Sequence, residues 1–229
     1  MSSIANLARK ARRAIEKIVA PKSNISYSQA GEDLVLDFLT HYRPMGFYVD
    51  VGCNHPLRGS NSYRFYRKGW KGIVIDANGK FDREFRRFRR RDRFVHACVS
   101  DIPGDVDFHI FKGDALSSIS GEKLFDSDLK YALERLEKVR TRTLTDILAE
   151  CGAPREFAFL TIDVEGHDEA VLRSIDLEHY RPEVILVEAN GTDFTVGNAA
   201  SSWPARHLDG FGYELLAVNW SNLFFQKRR

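Results

Sequence analysis

Polar residues capable of chemistry stand at the carboxyl ends of five apolar runs in this 229-residue chain. Asp50, Gly52 and Asn54 fall in FYVDVGCN, Asp76 ends GIVID, and Ser100 and Asp101 end FVHACVSD. Asp163, Glu165 and His167 fall in FLTIDVEGHD, and Glu188 and Asn190 end VILVEAN. An acid at the end of a second strand is the usual partner of two ribose hydroxyls, because a carboxylate accepts two hydrogen bonds in that geometry. Asp76 has that place. A dinucleotide would also require G-x-G-x-x-G, and GCNHPLRGS offers only Gly52 before a bulky stretch, so the pattern asks for a nucleoside poor in phosphate. In DVEGHD, His167 is the natural general base, since its ordinary pKa is about 6.5, and Asp163 can orient it or share the task. The plainer readings are a helix-start residue bonded to backbone for His167 and a first-turn acid favoured by the helix dipole for Glu165.

S-adenosylmethionine is a nucleoside of the required kind. Its ribose would meet Asp76, and its methionine end would need polar groups such as Asp50, Asn54 and the amides around Gly52, with Ser100 at the same rim. A second route uses a metal: Asp163, Glu188 and Asn190 are oxygen donors of the kind that Mg²⁺ or another divalent cation accepts, able to hold and acidify an acceptor hydroxyl.

The elements that would position these groups alternate. Residues 47–51 and 72–75 read as strands joined through a helix ending near 68, the length a parallel strand pair needs. Residues 94–99 read as one further strand, and Val106, Phe108 and Ile110 alternate as another that suits a hairpin. The charged stretch 126–138 reads as a helix, 139–144 as a strand and 145–150 as a short helix. The runs ending at Asp163 and Glu188 are apolar throughout, as strands covered on both faces are. YELLAVN and LFFQ form a closing pair. The expected fold is therefore α/β: a mostly parallel, Rossmann-like sheet with helices on both faces and an antiparallel C-terminal pair, which binds its ligand where strand order reverses.

Residues 1–24 read as a basic amphipathic arm and 25–229 as one domain. Arg9, Arg12, Arg13 and Lys17 lie largely outside the apolar stripe of that arm, which would pack on the domain or a second subunit, or lie on an anionic membrane. A helix is expected to begin near Ser28. Another, KFDREFRRFRRRDR, would bury Phe81, Phe85 and Phe88 and expose its seven arginines to solvent. Residues 115–123 are small and polar without a period and suit a lid or a surface loop, and the acceptor pocket is expected in the least readable segments, 114–138 and 191–205. A composition of 43% hydrophobic and 29% charged residues excludes a disordered chain. Three scattered cysteines argue against a disulfide framework or zinc site and for a reducing cytoplasm. No stretch approaches the about 18 consecutive apolar residues of a membrane span, and no signal-peptide core is visible. The expected location is cytoplasmic, with the inner membrane face open to the basic arm.

YSQAGEDLVL, GFYVDVGCNHP, SNSYRFYRKGWKGIVIDAN, TLTDIL and LTIDVEGHDEAVLRSID with RPEVILVE resemble the FkbM family of S-adenosylmethionine-dependent methyltransferases over about residues 25–190. The resemblance implies the seven-stranded methyltransferase fold and O-methyl transfer, often to a sugar or a glycan-decorated product. It places YSQAGED just before the first core strand, where Tyr27, Gln29 and Glu32 would cover the cofactor or simply cap a helix. Many members carry D-V-G-A-N-x-G-x-x-S, whereas Cys53 stands for the alanine here and His55-Pro56-Leu57 removes the second glycine. A carbohydrate acceptor is expected. The alternatives are a nucleic-acid methyltransferase, for which 229 residues leave little room for a recognition domain, and a binding protein that keeps the fold without catalysis.

Overall fold

The computed structural model describes residues 25–111, 133–189 and 195–228. The expected N-terminal arm, Asn190, most of the 114–138 segment and residues 191–194 lie outside them. In chain order the helices are α1 (Glu32–Leu39), α2 (Tyr63–Arg67), α3 (Asp82–Phe88), α4 (Leu144–Cys151), α5 (Asp168–Arg173) and α6 (Trp203–Asp209). The strands are β1 (Phe47–Val51), β2 (Lys71–Asp76), β3 (Arg93–His96), β4 (Cys98–Val99), β5 (Asp105–Phe111), β6 (Leu133–Arg142), β7 (Glu156–Ile162), β8 (Arg181–Glu188), β9 (Tyr213–Asn219) and β10 (Asn222–Lys227).

Seven strands form one sheet in the order β3-β2-β1-β7-β8-β10-β9. The first five of these run parallel, and β10 pairs antiparallel with both β8 and β9. Successive strand residues point to opposite faces. Val49, Ile73, Leu160 and Ile185 pack with α4, α5 and α6 through Leu148, Leu172 and Leu208. Tyr48, Val74, Phe159 and Leu186 pack on the other face with Leu36, Phe65 and Phe85 of α1, α2 and α3. Both faces are thus covered, which is why the central strands read as continuous apolar runs. The reversal of strand order falls between β1 and β7, so the carboxyl ends of β1, β2 and β7 open onto one crevice.

Four sequence expectations change. The run 94–99 divides in two: β3 pairs with β2, then Ala97 donates its N–H to Asp76 O at 3.0 Å and β4 leaves for a second sheet of order β4-β6-β5. Residues 133–138, expected at the end of a charged helix, are strand β6; pairing with β5 from Asp105↔Arg140 to Phe111↔Leu133 overrides their helical preference. Strand β5 thus pairs antiparallel with β6, while the residues that join the two lie outside the described ones and β4, the strand before it, pairs with β6 instead. Helix α1 begins at Glu32 after Gly31 (φ 91°) rather than at Ser28, whose hydroxyl accepts the Asp33 N–H at 3.2 Å. Finally, α3 ends at Phe88, which is exposed, while Arg89 is fully buried instead of solvated.

Candidate functional site

A cleft of about 910 Å³, including its opening to solvent, sits at the crevice and is lined from β1, β2, β7 and the small sheet. Its floor depends on Gly52. Here φ is 82°, and a Cβ would stand 1.7 Å from Asp163 O, so the turn after β1 passes against the end of β7 with no space for a side chain. The three strand ends are laced together by Gly52 N–H to Ile75 O at 2.9 Å and Asp163 N–H to Val51 O at 3.0 Å.

Asp76 accepts the N–H of Asn54 at 2.8 Å and of Asn78 at 2.7 Å, one on each carboxylate oxygen. Each oxygen keeps a second lone pair. Asp76 retains some accessible surface along the cleft, yet desolvation lifts its pKa from 3.8 to about 6 against the pull of the two amides. Asn54 lines the cleft in a left-handed conformation (φ 45°), which aims its amide at Asp76. Next to this polar corner the wall is largely apolar, with Ala77, Phe81, Ala97, Val99 and Phe108. The Cys53 and Cys98 thiols also line it; burial pushes both upward, Cys98 to about 11, so neither is a thiolate nucleophile at neutral pH.

Asp50 lines the opposite part of the floor and is 3% exposed. One oxygen accepts the Thr161 hydroxyl at 2.7 Å and the other accepts the Ser62 hydroxyl. Gln29 reaches the cleft from the segment before α1. Glu32 does not. It is buried, accepting the Ala30 N–H at 2.8 Å and the Asn222 amide at 3.2 Å, and so ties α1 to β10 rather than covering a ligand.

The turn from β7 to α5 carries Glu165 at φ 53° and Gly166 at φ 92°, held by Asp168, which accepts the N–H of Val164 and of Gly166 at 3.0 Å each. This brings Asp163, Glu165 and His167 to the cleft wall. His167 is the cap residue of α5 but its side chain makes no cap bond; instead Nε2 meets Ser100 Oγ at 3.1 Å. Desolvation, helped by Arg173, lowers its pKa against Asp101, so the ring is neutral at neutral pH. Ser100, expected against the cofactor, is outside the cleft lining and serves His167 instead. Its neighbour Asp101 is engaged by Arg173 at 2.7 Å.

Asp163 is hydrogen-bonded to Glu188, which also accepts the Ser221 hydroxyl at 3.1 Å. Desolvation first, then the carboxylates of Glu188, Glu165 and Asp168, raise the Asp163 pKa well above the usual carboxylate range. A cation would need more donors than this pair. Among the described residues no group of three or more His, Cys, Asp or Glu is placed to hold a metal ion. Of the metal set expected from the sequence, Asp163 and Glu188 lie side by side and Asn190 lies outside the described residues.

Sequence reasoning missed Phe108 and Cys98, which reach the cleft from strands placed by long-range pairing with β6, and Asn61 and Cys53, which reach it from the loop after β1. The alternation around Phe108 was the available signal.

A family model described as the methyltransferase FkbM domain matches residues 50–215. A search of curated proteins finds no match. Among solved structures, the chain is similar to Burkholderia thailandensis 1,6-didemethyltoxoflavin-N1-methyltransferase with bound 1,6-didemethyltoxoflavin and S-adenosylhomocysteine, at 11% identity and a TM-score of 0.44, covering 99% of this chain and 89% of that one. A TehB-like SAM-dependent methyltransferase from Corynebacterium glutamicum is similar at 15% identity and a TM-score of 0.41, covering 99% and 100%. Among the described residues no helix is long and apolar enough to cross a membrane.

Proposed function

Since the chain belongs to the FkbM methyltransferase family, we propose that it uses S-adenosylmethionine to methylate a hydroxyl of a sugar or glycan. The observation that carries the cofactor half of this reading is Asp76: a carboxylate at the end of β2, with one lone pair left on each oxygen, beside an apolar wall and a turn in which only glycine fits. The first two features suit a ribose and a base in turn, and the glycine lets the floor that carries them close against the end of β7.

When bound, S-adenosylmethionine supplies a methyl group on a sulfonium centre, open to in-line displacement by an oxygen. Asp76 would hold the two ribose hydroxyls. Asp50 and the Asn54 side chain would take the methionine end, since the Gly52, Cys53 and Asn54 N–H groups are committed to Ile75 O and Asp76, and Gln29 would close over it. His167 would remove the proton of the acceptor hydroxyl at Nε2, exchanging the Ser100 hydroxyl for the acceptor, and Ser100 returns the ring to place afterwards. Its lowered pKa favours this role, because the ring is then free to accept a proton at neutral pH. The raised pKa of Asp163 favours its neutral form, which would suit an uncharged sugar acceptor. The preference for a sugar acceptor rests on the motifs shared with the family.

The test is calorimetric titration with S-adenosylhomocysteine. Wild type is expected to bind one equivalent, and Asp76→Ala to bind at least about tenfold more weakly, since about 1.4 kcal/mol is lost with each strong hydrogen bond to a charged group. Affinity should also fall as pH drops through about 6, where Asp76 takes a proton and gives up acceptor sites. Equal affinity for wild type and Asp76→Ala would remove the ribose assignment. Incubation with methyl-labelled cofactor and free or lipid-linked oligosaccharides then tests the acceptor; label found only in RNA or protein would overturn the sugar half.

A further inference from the structure

Beneath the cleft lies a buried guanidinium that the transfer reaction does not use. Arg89 has no exposed surface, and its nitrogens reach three different parts of the chain. Nε donates to Asp92 at 2.7 Å. One terminal nitrogen donates to Ser60 Oγ at 3.2 Å and Pro56 O at 3.4 Å, within the loop after β1. The other donates to Tyr48 OH at 2.9 Å and Ser62 Oγ at 2.8 Å, and the Ser62 hydroxyl passes its own hydrogen to Asp50. Asp92 is held in turn by Tyr48 OH at 2.8 Å and Gly72 N–H at 2.9 Å. A relay thus runs from a buried cation through one serine to the floor of the cleft.

Two features give this relay a direction. Ser62 is the cap residue of α2, yet its side chain makes no cap bond, so its hydroxyl is committed to Arg89 and Asp50. Asp50 is bonded on both oxygens by hydroxyls, Ser62 on one side and Thr161 of β7 on the other, which fixes the plane of its carboxylate. One guanidinium faces two carboxylates, Asp92 and Asp50, so the cluster carries an excess of negative charge toward the cleft. That excess suits a cationic group and a fixed geometry.

We infer that Arg89 and Ser62 are positioning residues for the cofactor, orienting Asp50 to receive the ammonium of its amino-acid end. This rests on the proposed S-adenosylmethionine site. The nucleoside end would depend on Asp76 and the apolar wall, outside the relay. Removing the relay therefore changes selectivity between ligands that have the amino-acid end and ligands that lack it.

The experiment compares S-adenosylhomocysteine with 5′-methylthioadenosine, which lacks the amino-acid end, by calorimetry on the full chain. Ser62→Ala deletes the hydroxyl while leaving the helix start intact and is expected to weaken S-adenosylhomocysteine about tenfold. Its affinity for 5′-methylthioadenosine should stay within about twofold of wild type. Arg89→Lys, which keeps the charge but loses the planar fork, should show the same selective loss. Should Ser62→Ala bind S-adenosylhomocysteine as wild type does, or lose both ligands equally, the relay is structural only and the inference fails while the cofactor site stands. Failure of wild type to bind either ligand would overturn the cofactor reading and this inference with it.

Discussion

At Gly52 the backbone of β1 turns past the carbonyl of Asp163 with no space for a methyl group. Gly52→Ala must push the ends of β1 and β7 apart or break the turn, and its φ of 82° disfavours alanine before any clash is counted. The expected loss is about 3 kcal/mol or more of stability by urea denaturation, together with at least about tenfold in S-adenosylhomocysteine affinity. His167 makes a different demand. Because desolvation lowers its pKa, NMR titration of its ring should give a midpoint below 6.5, and transfer should rise with pH through that midpoint and then level off. His167→Ala should leave S-adenosylhomocysteine affinity within about twofold and reduce transfer by about 100-fold or more. A loss of affinity equal to the loss of transfer would move His167 from the base to the binding surface.

The elements that bring these residues together differ in how local their causes are. Helix α4 is local: Thr143 caps it, accepting the Asp146 N–H at 3.1 Å, and Gly152 closes it at φ 64°. Thr143→Ala should cost about 1 kcal/mol in urea denaturation and leave S-adenosylhomocysteine affinity unchanged, since the cap stands away from the cleft lining. Strand β6 is not local. Its LERLEKVRTR carries charges whose spacing suits a helix, and only β5 and β4, pairing on its two sides, make it a strand. The small sheet so formed brings Phe108 and Val99 to the cleft, so a strand whose first half, 133–138, reads as helix from its own residues helps shape the candidate site.

Across the whole molecule, burial around the candidate site raises the pKa of three acids, Asp76, Asp163 and Asp168. Asp168 is 3% exposed and desolvation lifts its pKa to about 7, while its carboxyl in the unfolded chain has the ordinary value of 3.8. A raised folded pKa contributes stability that is full below about 4 and is lost as pH rises through about 7. Wild type should therefore lose stability relative to Asp168→Asn as pH rises from 4 to 8, by on the order of 3 kcal/mol in paired denaturation curves. A pH-independent difference would refute the buried titration. The chain retains this costly acid where it fixes the left-handed turn at Glu165 and Gly166, and thereby the placement of His167.

Central strands buried on two faces must be apolar throughout and must end abruptly where they meet solvent or ligand. For that reason β1, β2, β7 and β8, and the acids and glycine at their ends, could be read from the chain alone, as could the cleft positions of Asp50, Asp76 and His167. Burial of polar groups has no such local signature, because it depends on partners far away in the chain. Glu32 reads like a cleft acid until Asn222, 190 residues on, claims its oxygen. Arg89 reads like one more solvated arginine until Tyr48, Ser60 and Ser62 enclose it. The residue types determined what each strand end could do; only tertiary contacts decided which polar groups face the cleft and which are consumed in holding it open.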